Sequence, residues 1–279
     1  LFEKLHTIGN LFIMILFNGT FQYHNHVLIR TINWKKNNAS KILTWFNIVG
    51  EIEALNSLAN FAYNNKSYIF PEINNSKKIA FSNLGHPLIS ENKRVCNSLD
   101  FKKNRFVILT GSNMSGKSTF LRTVGVNLVL ANTGAPICAT EATFQPMPIW
   151  VSMRLTDSLN DSESFFFAEV KRLKTIMENA KEKPVFILLD EILKGTNSDD
   201  KKSGTIGVIE KIIQTEATGI IATHDLEVCN ITEKHNEILI NKRFEVEIIN
   251  DDLHFDYKIR DGVCENRNAT FIMKKMEII

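Results

Sequence analysis

An apolar run, Phe106-Val107-Ile108-Leu109, leads through Thr110 into Gly111-Ser112-Asn113-Met114-Ser115-Gly116-Lys117-Ser118-Thr119. Few folds accommodate that succession. It fits the phosphate-binding pattern G-x-x-x-x-G-K-[ST], which works as the turn between a buried strand and a helix. Gly111 and Gly116 let the backbone curl until successive N–H groups face one hollow. The positive end of the following helix faces the same hollow. In such a loop Lys117 reaches the β- and γ-phosphates of a nucleotide, and the Ser118 hydroxyl is placed for Mg²⁺. Gly111, Ser112, Asn113, Met114, Ser115, Gly116, Lys117, Ser118 and Thr119 are therefore the candidate nucleotide-binding residues.

A chain of 279 residues with 44% hydrophobic and 23% charged residues can build one large domain, or a domain with a helical appendage. The net charge of +2 supplies no global attraction for nucleic acid. The longest apolar stretch, Leu11 to Phe17, is far shorter than the ~20 residues of a spanning helix. Four cysteines without C-x-x-C spacing read as reduced thiols, so a cytoplasmic location is expected. The opening at Leu1, already amphipathic, suggests the C-terminal part of a longer protein.

Along the chain, Ile42, Trp45, Phe46, Val49, Ile52, Leu55, Leu58, Ala59 and Ala62 recur at helical spacing, and one face of that helix is expected to be buried. Residues 1–72 are assigned to a helical segment, broken near Asn64-Asn65-Lys66 and Pro71, and 73–279 to a phosphate-loop domain. Strands are expected at Ile79–Phe81, Arg105–Leu109, Val185–Leu189 and Gly219–Ala222. The run 185–189 lacks alternation, as a strand covered on both faces does. Helices are expected after Lys117, after Ser164 (Phe166, Val170, Leu173 and Met177 on one side) and around Ile206, Ile209 and Ile213. Phe244, Val246 and Ile248, then Leu253, Phe255, Tyr257 and Ile259, alternate with polar residues across Asn250-Asp251-Asp252 and predict an antiparallel hairpin. The order of elements implies a three-layer α/β fold around a mostly parallel sheet.

Asp190 and Glu191 close the apolar strand after Val185, and that strand is expected to neighbour the loop-bearing one. A carboxylate at Asp190 can hold the hydration shell of Mg²⁺ opposite Ser118. Glu191 then reaches a water behind the γ-phosphate, as base or orienting group. His224, just past the strand Gly219–Ala222, can hydrogen-bond the γ-phosphate as a neutral imidazole. His86 either flanks the nucleotide base or is a turn histidine beside Pro87. Ser164 opens a helix, where capping alone accounts for a serine.

Together these motifs resemble the C-terminal ATPase of the MutS family of DNA mismatch repair proteins, itself related to ABC-type ATPases. Thr110–Thr119 matches that family's T-G-x-N-M-x-G-K-S-T, and Gly134–Ala139 resembles the run ending its loop helix. Leu188–Ile192 with Lys194-Gly195-Thr196 is similar to D-E-I-x-R-G-T, and Ala222-Thr223-His224 to A-T-H. Ser164–Glu169 stands where the family has S-T-F-x-x-E, the signature helix shown to the partner subunit. The similarity covers roughly residues 73 to 275, and Glu51, Ala54, Leu55, Leu58 and Ala59 resemble the last helix of the family's core domain. The resemblance implies a P-loop ATPase of the ABC type binding ATP and Mg²⁺, with Ser118 and Asp190 on the metal and Glu191 and His224 catalytic. It further implies His86 and Asn97 beside the adenine, and Ser164 touching the γ-phosphate bound by the other protomer of a homodimer. Ser112, Ser115 and Leu193 replace the usual proline, glycine and glycine, and Lys194 replaces arginine, as in a divergent branch. Phe70-Pro71-Glu72 has the letters of the mismatch-reading motif in the wrong place.

An ATP-driven dimeric switch acting on DNA, through parts largely outside this chain, is the function implied. The DNA recognised is either mismatched or branched. A transporter ATPase subunit is disfavoured because L-S-G-G-Q is absent from all 279 residues, and no membrane partner is expected. A scaffold that binds ATP without hydrolysing it is the remaining alternative.

Overall fold

A computed structural model describes residues 19–75, 78–101, 103–153, 165–249 and 252–264. The chain divides into two compact units, Leu1–Tyr63 and Asn64–Ile279.

The first unit carries helices α1 (Tyr23–Asn38) and α2 (Ile42–Asn64). The expected helix is present, but the burial expected of its apolar face is not: α2 has no buried residue, with Phe46 71% and Ile52 61% exposed. Leu43, Trp45, Phe46, Ile48 and Val49 succeed one another around the helix rather than along one stripe. The periodicity therefore specifies a helix without specifying what covers it.

The second unit contains two main sheets. Its strands are β1 (Glu72–Ile73), β2 (Ala80–Leu84), β3 (Asn97–Asp100), β4 (Phe106–Thr110), β5 (Glu141–Phe144), β6 (Ile149–Ser152), β7 (Phe186–Asp190), β8 (Thr218–Ala222), β9 (Leu239–Phe244), β10 (Glu247–Ile249), β11 (Asp252–His254) and β12 (Ile259–Asp261). The larger sheet runs β12-β9-β4-β8-β7-β6, parallel throughout except for β12, which is antiparallel to β9. The smaller runs β1-β5-β2-β3. Helices α3 (Lys117–Asn132), α4 (Phe165–Glu182), α5 (Ser198–Ile213) and α6 (Ile231–Lys234) complete the unit.

Alternation within the wholly buried strands sends side chains to two apolar clusters. Val107, Leu109, Leu188 and Ile220 join Phe120, Leu121, Val124 and Leu128 of α3, together with Phe81 and Phe144 of the smaller sheet. Phe106, Ile108, Ile187, Leu189 and Ile221 join Leu173 and Ile176 of α4 and Ile209 and Ile212 of α5. Each large side chain so removed from water contributes roughly 1.5–3 kcal/mol. Both faces of β4, β7 and β8 are thus covered, which explains their unbroken apolar runs.

Three expectations need correction. β7 is not the immediate neighbour of β4, because β8 lies between them. Gly219 permits this close strand packing: a Cβ there would lie 2.1 Å from the Ile187 carbonyl oxygen. On α4 the deeply buried residues are Glu169, Leu173, Ile176 and Ala180, while Phe166 and Val170 are 37% and 38% exposed. The tail is not one long hairpin. Phe244 belongs to β9 and Ile259 to β12 in the large sheet, and only β10 and β11 form the ribbon, pairing Glu247 with His254. Tyr257, with φ of 54°, interrupts the extended chain between β11 and β12.

Candidate functional site

The parallel strands β4, β8 and β7 end on one edge, where α/β folds place ligands. Backbone bonds lock those ends together: the Thr223 N–H donates to Leu109 O (3.0 Å) and the Glu191 N–H to Ala222 O (2.9 Å). The loop after β4 is held open by its glycines. A Cβ on Gly111 would stand 2.6 Å from the Ser115 Oγ, and one on Gly116 (φ 101°) 3.0 Å from the Tyr257 ring. No side chain caps α3, which begins at Lys117, so its first N–H groups stay available to an anion.

Lys117 is only 5% exposed. Its ammonium donates to the carbonyls of Gly111 (2.6 Å) and Ser112 (2.9 Å) in its own loop. Burial pushes it below the ordinary lysine range, and the charges of Glu191 and Asp190 oppose that shift. The buried hydroxyls of Ser112 and Ser115 and one oxygen, Oδ1, of the 5%-exposed Asp190 have no hydrogen-bond partner among the described residues. Unsatisfied donors in the loop and an unsatisfied carboxylate oxygen at the end of β7 suit a phosphate with its metal ion. Among the described residues no group of three or more His, Cys, Asp or Glu could hold a metal ion. Any metal here would therefore rely on Asp190, the Ser118 hydroxyl and ligand oxygens.

Glu191 adopts φ 49° and turns its carboxylate toward Lys194 and His224. Oε2 is 2.7 Å from Lys194 Nζ, and Oε1 is 3.7 Å from His224 Nδ1. Burial would raise the Glu191 carboxyl, but Lys194, then Lys117 and His224, hold it below the ordinary glutamate range. Leu193 follows in a left-handed turn (φ 60°), a conformation costing a non-glycine residue about 1–2 kcal/mol. Its side chain is 8% exposed and fills the space left by Gly204, where a Cβ would meet Leu193 Cδ1 at 2.5 Å. That burial offsets the strain.

A cavity of about 770 Å³ opens over the loop. It is lined by Asn113 to Thr119 and Glu191, and further out by His86, Ile89, Lys93, Val95, Asn97, Arg122 and Tyr257. His86 accepts the Leu88 N–H (3.2 Å) at Nδ1, and burial, then Arg122 and Arg94, lower its pKa and favour the neutral ring. Asn97 donates to Tyr257 O (2.9 Å) and accepts the Ile259 N–H (2.8 Å), so it clamps the segment carrying Tyr257. Gly111, Ser112, Asp190 and His224 are not among the lining residues. The first three lie in the loop and at the end of β7, and His224 lies beside Glu191. Ser164 lies outside the described residues.

Sequence reasoning missed Tyr257, Arg122, Lys93 and Lys194 as site residues. Arg122, five residues past Lys117 on the same helix, carried a usable signal. Tyr257 carried none, because only the pairing of β12 with β9 and the Asn97 clamp bring it to the loop.

An α/β domain with a phosphate loop and a carboxylate pair at its strand ends is the class this geometry defines. A family model for MutS domain V matches residues 107–277. The chain belongs to the MutS family, and domain V is that family's P-loop ATPase domain. It is similar to the DNA mismatch repair protein MutS of Finegoldia magna, with 32% identity over 81% of this chain and 27% of the relative. It is also similar to the MutS of Fusobacterium nucleatum (34%, over 72% of this chain and 23% of the relative). Human MutS protein homolog 4 is 29% identical over 78% of this chain and 24% of that protein. The chain thus spans about a quarter of the length of these relatives.

Proposed function

We propose that residues 73–279 form an ATP-binding and ATP-hydrolysing domain of the ABC-type, three-layer kind, in a MutS-like protein acting on DNA mismatches. The segment 1–72, whose described part is helical over α1 and α2, would link it to DNA-holding parts. The observation that carries this reading is the gathering of the uncapped α3 terminus, Lys117 and the Asp190–Glu191 pair on one sheet edge.

ATP would bind with its phosphates in the loop Gly111–Thr119. Lys117 would exchange its two backbone carbonyls for phosphate oxygens. Ser118 and Asp190 would hold Mg²⁺, which supplies charge neutralisation on the β- and γ-phosphates. The base would lie in the outer cavity among His86, Val95, Asn97 and Tyr257, where apolar walls and one aromatic ring suit a flat heterocycle. Glu191, kept ionised by Lys194, orients or deprotonates the attacking water, and His224 beside it contacts the γ-phosphate. Ser164 would complete the site of a second copy, so that ATP closes a homodimer and hydrolysis releases it. Neither the ATP nor the DNA role requires a membrane, and no described helix is long and apolar enough to cross one.

Replacing Glu191 by Gln tests the chemistry. ATP affinity is expected to persist while turnover falls by about 100-fold or more. Undiminished hydrolysis would remove Glu191 from this role. The mass in solution of the Glu191→Gln protein with Mg-ATP tests dimerisation, a purely monomeric species counting against it. Gel-shift assays of the intact protein on matched, mismatched and branched duplexes decide the DNA class.

A further inference from the structure

We infer that Glu169 is a positioning residue for Glu191, acting through the turn Leu193–Lys194 and the Lys194 ammonium. The inference rests on the role proposed above for Glu191.

Glu169 lies one turn into α4 and is only 5% exposed, a costly location for a carboxylate. What it meets there is backbone. One oxygen, Oε2, accepts the Lys194 N–H at 3.2 Å. Burial raises the Glu169 carboxyl, and the neighbouring backbone N–H groups of Lys194 and Leu193 and the charges of Lys194 and Lys201 counter it. The Lys194 N–H reaches the carboxylate from a tight turn, with Leu193 left-handed (φ 60°) just before it and Gly195 (φ 92°) just after. From this turn Lys194 sends Nζ back to Glu191 Oε2 at 2.7 Å.

A physical chain therefore runs from α4 through Glu169 to the backbone of Lys194, and on through its ammonium to Glu191, which lines the cavity. Leu193 explains why the turn needs an external hold. Its backbone is strained, and a side chain at 169 without an acceptor would leave the Lys194 N–H unpaired. Released from Glu169, the turn no longer fixes the root of Lys194, and the Glu191 carboxylate loses the contact that aims it. A displacement of about 1 Å in a group aiming a nucleophile costs on the order of 100-fold in rate.

The test uses the full chain with single-turnover ATP hydrolysis and calorimetric nucleotide affinity. The variants are Glu169→Ala, Glu169→Gln, Lys194→Met and the Glu169→Ala/Lys194→Met pair, with Glu191→Gln as reference. Glu169→Ala and Lys194→Met are each expected to slow hydrolysis roughly 10- to 100-fold, with ATP affinity within about 2-fold of the parent. The pair should be no slower than the slower single variant, because both changes cut one connection. Glu169→Gln keeps an oxygen for the Lys194 N–H and should recover most of the rate. If Glu169→Ala does not fold, Glu169→Met, which fills the same space without an acceptor, carries the same comparison with and without Lys194→Met. Unchanged hydrolysis in Glu169→Ala, losses that multiply in the pair, or affinity falling in step with rate would overturn the inference. Should Glu191→Gln itself retain turnover, the reading of Glu191 fails instead, and the two failures are told apart.

Discussion

Removing the Tyr257 ring should weaken binding of the nucleoside while sparing the phosphates. The ring lies in a left-handed bend (φ 54°), stands 3.0 Å from the point a Gly116 Cβ would occupy, and lines the cavity above the loop. Phe255 already stacks on it, with centroids 5.9 Å apart and planes 14° from parallel. With 43% of its surface exposed, Tyr257 has one open side to offer a base. Truncating an aromatic ring that stacks on one base costs about 1–3 kcal/mol. The partial exposure places Tyr257→Ala in the lower half of that range, a loss of ATP affinity of about 5- to 30-fold. Tyr257→Phe keeps the ring and should stay within about 2-fold. Titration calorimetry with ATP and, separately, with inorganic tripolyphosphate reads the two halves of the ligand. ATP binding left intact by Tyr257→Ala, or tripolyphosphate weakened as much as ATP, would refute the placement of the base against this ring.

Lys117→Met should abolish the thermal stabilisation that Mg-ATP gives the parent, which at 100-fold saturation is about 2.7 kcal/mol. A melting shift persisting in the variant would contradict the assignment. Gly219→Ala brings a Cβ to 2.1 Å from the Ile187 carbonyl. It should destabilise the second unit by about 3 kcal/mol or more, and a denaturant midpoint equal to the parent's would show that β7 and β8 are not so closely apposed. Leu193→Gly relieves backbone strain but empties the pocket beside Gly204, where loss of a buried leucine costs about 2–5 kcal/mol. A net loss of stability is expected in equilibrium unfolding, and a gain would mean that the strain outweighs the packing.

How much of this was legible in the sequence depended on whether the signal was local. The loop, Asp190 and Glu191 were readable because glycine spacing and an unbroken apolar run report backbone demands at the residues themselves. β7 and β8 were visible for the same reason. β9 is not legible, and of its residues only Phe244 enters the expected hairpin: Leu239–Phe244 mixes apolar with basic residues, since a strand near the sheet margin need not be apolar on both sides. The stripe of α4 was misplaced because its inner face admits a carboxylate, and counting apolar residues passes over Glu169. Tyr257 escapes because its position depends on Asn97, 160 residues away, a contact no period in the sequence encodes. Lys194 is only 3 residues from its partner Glu191, but the left-handed turn at Leu193 that brings the two together has no glycine to announce it.

Holding the Lys117 ammonium on the oxygens of Gly111 and Ser112 means that the chain supplies its own stand-in for the ligand. A visiting anion must outcompete two short internal bonds before it gains the charge. Chloride or a single phosphate offers too little in return, whereas a polyphosphate that also engages the helix terminus and the unpartnered serines offers several contacts at once. On the function proposed above, those same two carbonyls are what the lysine would return to once a nucleotide's phosphates have left.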